Sequence, residues 1–350
     1  MPEPISVLLV EDSPVALEII DRLLTSSPDI KVVGKARNGK EALNLIAKLQ
    51  PKVICTDLHM KEMDGLELTK QVMENYPRPI LVISTSVQKE DTNTIFELLQ
   101  AGAVDVFPKP NTGLASDYEQ VKRDLINKIK ILSGVTVFTR RQALPLSNFN
   151  STNNFAFSAD ITRAIKVITI GTSTGGPQAV HKIIAQLPAN LPVPVICTQH
   201  ISQGFLQGLV DWLDSECKVK VKIAQVGEMP VPGTVYFAPD QNHLELDTQG
   251  NFIYGSSIPV DGHCPSVTVT FKSVAKFYGK ATMGILLTGM GKDGALGMQA
   301  ISTAGGITIA QDEKTCVVFG MPSEAIALGV VQQVLPIQDI APLLLKKLAR

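Results

Sequence analysis

Residues 166–177 read KVITIGTSTGGP. The β-rich apolar run at 167–170 stops at Gly171, and Pro177 opens a segment of helical character. This is the pattern of a strand, a tight turn and a helix start, with the Ser173 hydroxyl at the apex. Small residues on both sides let the backbone take φ > 0 and let a substrate come close. The spacing G-x-S-x-G fits a nucleophile elbow. It also fits a phosphate-cradling loop or a plain βα turn. What else reaches the turn decides between them.

A serine nucleophile needs a base, and the chain has five histidines. His59 lies in the first half, His181 on the helix after the turn, and His243 and His263 in an irregular stretch. His200 ends the run PVPVICTQH, which puts it on the same sheet edge as Ser173. A capping or core role is the alternative for one histidine at such a place. A third run, MGILLTGMGKDG at 283–294, delivers Asp293 to that edge through a Gly-rich turn. A carboxylate there can fix the imidazole tautomer and stabilise the imidazolium. The N–H groups of Met290 and Gly291 can face an oxyanion, each such donor being worth ~3 kcal/mol of barrier. The order Ser, His, Asp differs from the α/β-hydrolases, where the acid precedes the histidine. Between the second and third runs, the Pro/Gly-rich stretch 228–240, then HLEL and the segment 252–254, read as an inserted hairpin or small antiparallel extension.

The first half alternates strand and helix five times. Apolar runs at 7–10, 31–36, 53–56, 80–83 and 104–107 are separated by amphipathic segments such as 15–24, 41–49 and 66–73. This predicts a parallel sheet with helices on both faces, and in such sheets function collects at the carboxyl ends of the strands. Those ends carry Glu11 and Asp12, then Asp57, then Ser84 and Thr85, then Lys109. Three carboxylates at one edge repel one another and call for a hard cation such as Mg²⁺. A lysine and a hydroxyl beside them suit a phosphoryl group. Each residue alone could be a solvated loop group; the set together points to phosphoryl chemistry.

Composition agrees with an ordinary globular chain. Its 350 residues suffice for two domains, 45% are hydrophobic and 19% charged, and the net charge is −1. No global field draws it to nucleic acid or to an anionic membrane. No apolar run reaches the ~20 residues of a membrane span. The N-terminal MPEPISVLLVEDS lacks a basic region before its apolar run, which argues against a signal peptide. Five scattered cysteines without C-x-x-C suit a reducing compartment, so a cytoplasmic protein is expected. Residues 133–162, rich in Ser, Asn and Thr, read as a flexible linker in which Phe149, Phe155 and Phe157 can dock locally.

Residues 3–132 resemble a response-regulator receiver domain. The resemblance implies phosphorylation at Asp57, a metal site of Glu11, Asp12 and Asp57, a switch hydroxyl at Ser84 and a phosphate-contacting Lys109. The segment DLHMKEMDG, 57–65, matches the family pattern D-x-x-M-P-x-M-D-G except for Lys61, and Val106 stands where many receivers carry a switch aromatic. Residues 163–350 resemble the catalytic domain of CheB-type protein-glutamate methylesterases through IGTSTGGP, the Gln199-His200 pair, LLTGMGKDGA and AQDEKTCVVFGMP. The resemblance implies a Ser173, His200 and Asp293 triad, Thr174 lining the site and the Met290 amide as oxyanion donor. One departure is Thr268, outside the triad, where the family more often has an acid.

The expected fold is α/β, with two doubly wound parallel sheets, one flavodoxin-like and one Rossmann-like with a small antiparallel insertion. The implied activity is phosphorylation-activated demethylation of glutamate γ-methyl esters, with deamidation of glutamines, on methyl-accepting chemotaxis receptors. A histidine kinase of the CheA type is the implied phosphodonor. Mg²⁺ is expected at the receiver and no cofactor for the ester chemistry, in a monomer that binds no nucleic acid. A non-catalytic adaptor is the rival reading, against which the intact triad argues. A transcription factor is another, and no helix-turn-helix or basic cluster supports it.

Overall fold

The computed structural model describes residues 3–84, 89–110, 115–137 and 165–349. Most of the expected linker, including Phe149, Phe155 and Phe157, and Thr85 lie outside them.

The N-terminal sheet is built by β1 (Ile5–Val10), α1 (Pro14–Thr25), β2 (Ile30–Ala36), α2 (Gly39–Leu49), β3 (Val53–Thr56), α3 (Gly65–Asn75), β4 (Ile80–Ser84), α4 (Lys89–Ala101), β5 (Asp105–Pro108) and α5 (Ala115–Leu132). Its order is β2-β1-β3-β4-β5 and every pairing is parallel. This is the flavodoxin-like order, in which the chain reverses direction across the sheet between β1 and β3. The central strands are apolar on both faces because helices cover both. Side chains of Ser13, Asn38 and Asp64 cap α1, α2 and α3, accepting from Ala16, Glu41 and Glu67 N–H.

The C-terminal sheet follows from β6 (Val167–Thr172), α6 (Gly176–Ile184), β7 (Val195–Gln199), α7 (Leu206–Glu216), β8 (Lys220–Ile223) and β9 (Thr234–Phe237). A hairpin of β10 (Leu244–Leu246) and β11 (Phe252–Tyr254) comes next. Then come α8 (Val267–Tyr278), β12 (Thr282–Leu286), α9 (Ala295–Thr303), β13 (Ile307–Gln311), α10 (Met321–Ala327), β14 (Gln333–Leu335) and α11 (Ile337–Leu348). The seven strands order as β14-β13-β12-β6-β7-β9-β8, all parallel. The chain winds one way from β6 and the other way from β12, so the crevice between those two strand ends is the switch point.

The expected antiparallel extension is real but smaller than the sequence suggested. Among the described strands only β10 and β11 pair antiparallel, beside an isolated antiparallel bridge of Val260 with His263. The stretch 228–240 holds a parallel strand of the main sheet, β9, hidden by its brevity between Gly233 (φ 75°) and the following Pro239.

The two sheets are joined through α4, which packs on α7 and α6. Phe96, fully buried, stacks on Trp212 with centroids 5.1 Å apart and planes 7° apart. His181 lies against the same indole at 4.7 Å. Gln178 Nε2 donates to the carbonyls of Ala103 (2.8 Å) and Leu99 (3.3 Å) at the end of α4. Ser202 Oγ donates to the Val106 carbonyl on β5 (3.4 Å). Thus the end of α4 meets the first turn of α6, and β5 meets the loop that follows β7.

Candidate functional site

The C-terminal edge of the second sheet gathers the three residues singled out in sequence. Register places Thr172 beside Gln199, and the His200 N–H donates to the Thr172 carbonyl at 2.9 Å. Ser173 N–H donates to the Thr288 carbonyl (3.0 Å), tying the serine turn to the end of β12. Gln199 Nε2 bridges the carbonyls of Ser173 and His200, both at 2.8 Å. The serine and histidine loops are therefore cross-braced by backbone and by one amide.

The turn differs from a strained nucleophile elbow. Ser173 keeps negative φ, and the left-handed residue is Gly175 (φ 76°), at the N-cap of α6. Small residues are needed for close approach instead. A methyl group on Gly176 would meet the Gln199 amide and come within 2.5 Å of Thr172 Oγ1. Gly176→Ala is expected to cost about 1–3 kcal/mol of stability, read from urea unfolding. An unchanged midpoint would mean that the Gln199 brace is free to move.

Asp293 is fully buried, and its carboxylate sits over the N-terminus of α8. Oδ2 accepts from His200 Nε2 (2.9 Å) and Val267 N–H (2.8 Å). Oδ1 accepts from Ser266 Oγ (2.8 Å), Thr268 N–H (2.9 Å) and Gly294 N–H (2.8 Å). Burial alone would raise its pKa, but the hydrogen bond and charge of His200 and the Thr268 donors outweigh it. Asp293 is thus held well below the usual carboxylate range. The helix N-terminus adds to this preference for negative charge.

A carboxylate only accepts, so the His200 nitrogen facing Asp293 carries the hydrogen and Nδ1 is left as the basic nitrogen. That Nδ1 is buried and has no hydrogen-bond partner among the described residues. It makes no hydrogen bond to Ser173 in this structure, a contact that often tightens only with substrate bound. Thr174 is buried, with its carbonyl accepting from Thr288 Oγ1 at 3.0 Å. Met290 is half-exposed at the mouth, and its N–H has no acceptor among the described residues. Its neighbour Gly289 packs directly under Ser173, a methyl group there falling 2.7 Å from the serine Cβ.

Four supporting groups were not read from the sequence as site residues. Ser266 and the Val267 and Thr268 amides cradle Asp293. The Thr268 hydroxyl also accepts from Gly294 N–H (2.8 Å), so this residue, outside the triad, touches its acid directly. The Ser-Val-Thr start of an apolar helix is an N-cap signal that could have placed the cradle. His263 is the fourth; its ring stacks on His200 at 3.9 Å.

The first sheet brings its own set together at its switch point. Lys109 Nζ lies 2.7 Å from Asp57 Oδ2 and, as an ion pair, 2.8 Å from Glu11 Oε2. Burial lowers the lysine pKa, but bonding to both acids raises it more. Burial raises the Glu11 pKa, and the neighbouring Asp57 adds to it. Oxygens of Glu11, Asp12 and Asp57 come within 4.8 Å of one another, with Asp12 exposed. Buried Ser84 is one strand away, its carbonyl accepting from Lys109 N–H at 2.8 Å. The Gly65 of the DLHMKEMDG segment packs against the Asp57 carbonyl, where no side chain fits.

The chain is similar to known proteins over both of its sheets. The sequence model of the CheB methylesterase family matches residues 168–344, and that of the response regulator receiver domain matches 7–114. A protein of Syntrophus aciditrophicus named protein-glutamate methylesterase/protein-glutamine glutaminase 1 is 40% identical over 343 residues, 98% of each chain. A Nitrosospira multiformis protein named protein-glutamate methylesterase/protein-glutamine glutaminase is 38% identical, covering 96% of this chain and 95% of its own. The crystal structure of the Thermotoga maritima CheB methylesterase catalytic domain superimposes with TM-score 0.51 at 40% identity. It covers 52% of this chain and 98% of its own.

Proposed function

The chain belongs to the CheB methylesterase family, and from that membership we propose a phosphorylation-regulated protein-glutamate methylesterase and protein-glutamine glutaminase of chemotaxis signalling. Residues 3–132 form its receiver, 133–162 its linker and 163–350 its catalytic domain. It works as a cytoplasmic monomer on methyl-accepting receptors. Among the described residues no helix is long and apolar enough to cross a membrane.

Ser173 Oγ attacks the γ-carbonyl of a methylated glutamate while His200 Nδ1 takes its proton. Asp293 stabilises the imidazolium through Nε2, and the Met290 N–H meets the oxyanion, with Thr174 in the wall of the site. His200 then returns the proton to the leaving methanol. A water, deprotonated by the same nitrogen, releases the acyl-enzyme as glutamate and frees Ser173. A glutamine side chain follows the same course with ammonia leaving. The observation that carries this reading is the five-donor cradle of Asp293, which turns the free nitrogen of His200 away from the acid.

In the receiver, Asp57 accepts the phosphoryl group from a histidine kinase of the CheA type. Glu11, Asp12 and Asp57 fit a divalent cation: they are three clustered oxygens, one from a buried acid that burial makes reluctant to ionise alone. Mg²⁺ held there would screen the charge of the incoming phosphate. Lys109 then contacts the phosphoryl oxygens, and the Ser84 hydroxyl takes one of them. Because α4 packs on α6 and α7, and β5 meets the loop after His200, phosphorylation at Asp57 acts by releasing that contact.

The test is methanol release from methylated receptor membranes, with and without acetyl phosphate and Mg²⁺, using Ser173→Ala as control. Release that depends on Ser173 and rises with the phosphodonor supports the reading. Release from the Ser173→Ala protein would overturn the mechanism. Asp57→Ala is expected to keep basal release and lose the response to acetyl phosphate; an undiminished response would sink the switch.

A further inference from the structure

His263 stands outside the triad, yet its ring lies face to face with the His200 imidazole, centroids 3.9 Å apart and planes 7° apart. Resting on the reading of His200 as base, we propose that His263 is a positioning residue whose ring holds the His200 imidazole in the plane that joins Asp293 to Ser173.

The loop that carries His263 is built to hold it there. Val260 and His263 pair across a two-residue turn, with N–H to carbonyl distances of 3.0 and 3.1 Å. Both central residues, Asp261 (φ 50°) and Gly262 (φ 83°), are left-handed, as a type I′ turn requires. The Asp261 carbonyl accepts from His263 Nδ1 at 3.0 Å. A carbonyl cannot donate, so this bond fixes the ring orientation and puts the hydrogen on Nδ1. The Asp261 carboxylate pairs with Lys292 (3.2 Å), the residue before Asp293.

The same loop is anchored a second time from beneath. Buried His243 donates through Nε2 to the Ile258 carbonyl (2.9 Å) and accepts through Nδ1 from Ser266 N–H (3.0 Å). Ser266 Oγ in turn donates to Asp293. Both ends of the His263 loop are therefore tied to the acid that orients His200.

Among the described residues the His200 ring has one hydrogen bond, through Nε2, and its Nδ1 has no partner. A single bond leaves the ring free to tilt about that contact, which would swing Nδ1 away from Ser173. A parallel ring pressed on one face removes that freedom. The charged and titratable groups acting on His263 are His200, Asp293 and Asp261, and Lys292 is paired with Asp261. Burial, and then the neighbouring His200, hold the His263 pKa below its ordinary value, so the stacked ring is neutral. A neutral aromatic face also tolerates the imidazolium that forms during attack.

Full-length protein activated with acetyl phosphate tests this through His263→Ala and His263→Phe. Truncation to alanine is expected to lower kcat about tenfold with KM nearly unchanged, the loss typical of a misoriented base. Phenylalanine, which stacks but cannot move a proton, is expected to restore kcat to within about threefold of the parent. The midpoint of the acid limb of kcat/KM should be the same in His263→Phe as in the parent. Equal losses in both variants, or a displaced acid limb in His263→Phe, would make His263 a proton carrier and overturn the proposal. Full activity in both would leave the stack without a role and overturn it too. Methanol release surviving in Ser173→Ala would instead indict the triad reading on which the proposal stands.

Discussion

Asp293→Asn is expected to lower kcat for methanol release by about 10⁴-fold, the scale of the corresponding change in serine proteases. The reason lies in the donors. Five groups point hydrogens at the two carboxylate oxygens, and three of them are backbone amides that cannot rotate. An asparagine must place its NH₂ on one side. On the Oδ1 side it would oppose the Thr268 and Gly294 amides; on the Oδ2 side it opposes Val267 N–H and His200 Nε2–H. Only His200 can respond, by moving its hydrogen to Nδ1. That tautomer presents N–H to Ser173 and has no base to offer.

The same substitution carries a stability signature with a defined sign. The folded pKa of Asp293 is depressed, so its contribution is present above the unfolded value and lost as pH falls through the folded one. The stability gap between parent and Asp293→Asn should therefore be constant from neutral pH down to about pH 4, near the unfolded carboxylate value, and shrink only below it. Urea midpoints across that range check this. A gap that closes between pH 7 and 5 would show that some other group titrates with the fold.

What the sequence disclosed and what it concealed divide along one line. Ser173 and His200 follow directly on apolar strands, and Asp293 follows β12 through a Gly-rich turn, so period and turn chemistry alone bring them to one edge. Glu11, Asp57, Ser84 and Lys109 were legible for the same reason. His263 was not, because a return loop places it, and its position depends on the partners of His243 and Asp261 rather than on any period. Thr268 was visible as a departure, but its contact with Asp293 arises from the docking of α8 on the turn after β12. The strand β9 was concealed by length: four residues, TVYF, in a Pro/Gly-rich surround carry too little pattern to be separated from a hairpin. The left-handed residue was expected around Ser173, and it falls at Gly175, where a glycine bears the strain without cost.

Phe96→Ala is expected to raise methanol release in the absence of phosphodonor by up to about 10²-fold and to abolish further stimulation by acetyl phosphate. Phe96 is fully buried against Trp212, although α4 belongs to one sheet and α7 to the other. Removing the ring costs about 3 kcal/mol of contact between them, which shifts a docked-to-released equilibrium by about two powers of ten. Two polar ties lie beside it: Gln178 to the end of α4, and Ser202 to Val106. Ser202 lies two residues after His200, and Val106 three residues before Lys109. A phosphoryl group that engages Lys109 and Ser84 therefore acts on the ends of β4 and β5, where the catalytic loops are held. Gln178→Ala removes two hydrogen bonds and no packed ring, so its effect should point the same way and be smaller, about tenfold. If both variants keep the parent's basal rate and its response to acetyl phosphate, the α4 contact is not the inhibitory one. If Phe96→Ala alone loses activity while Gln178→Ala gains it, the loss lies in receiver folding and the docking argument stands on the second variant.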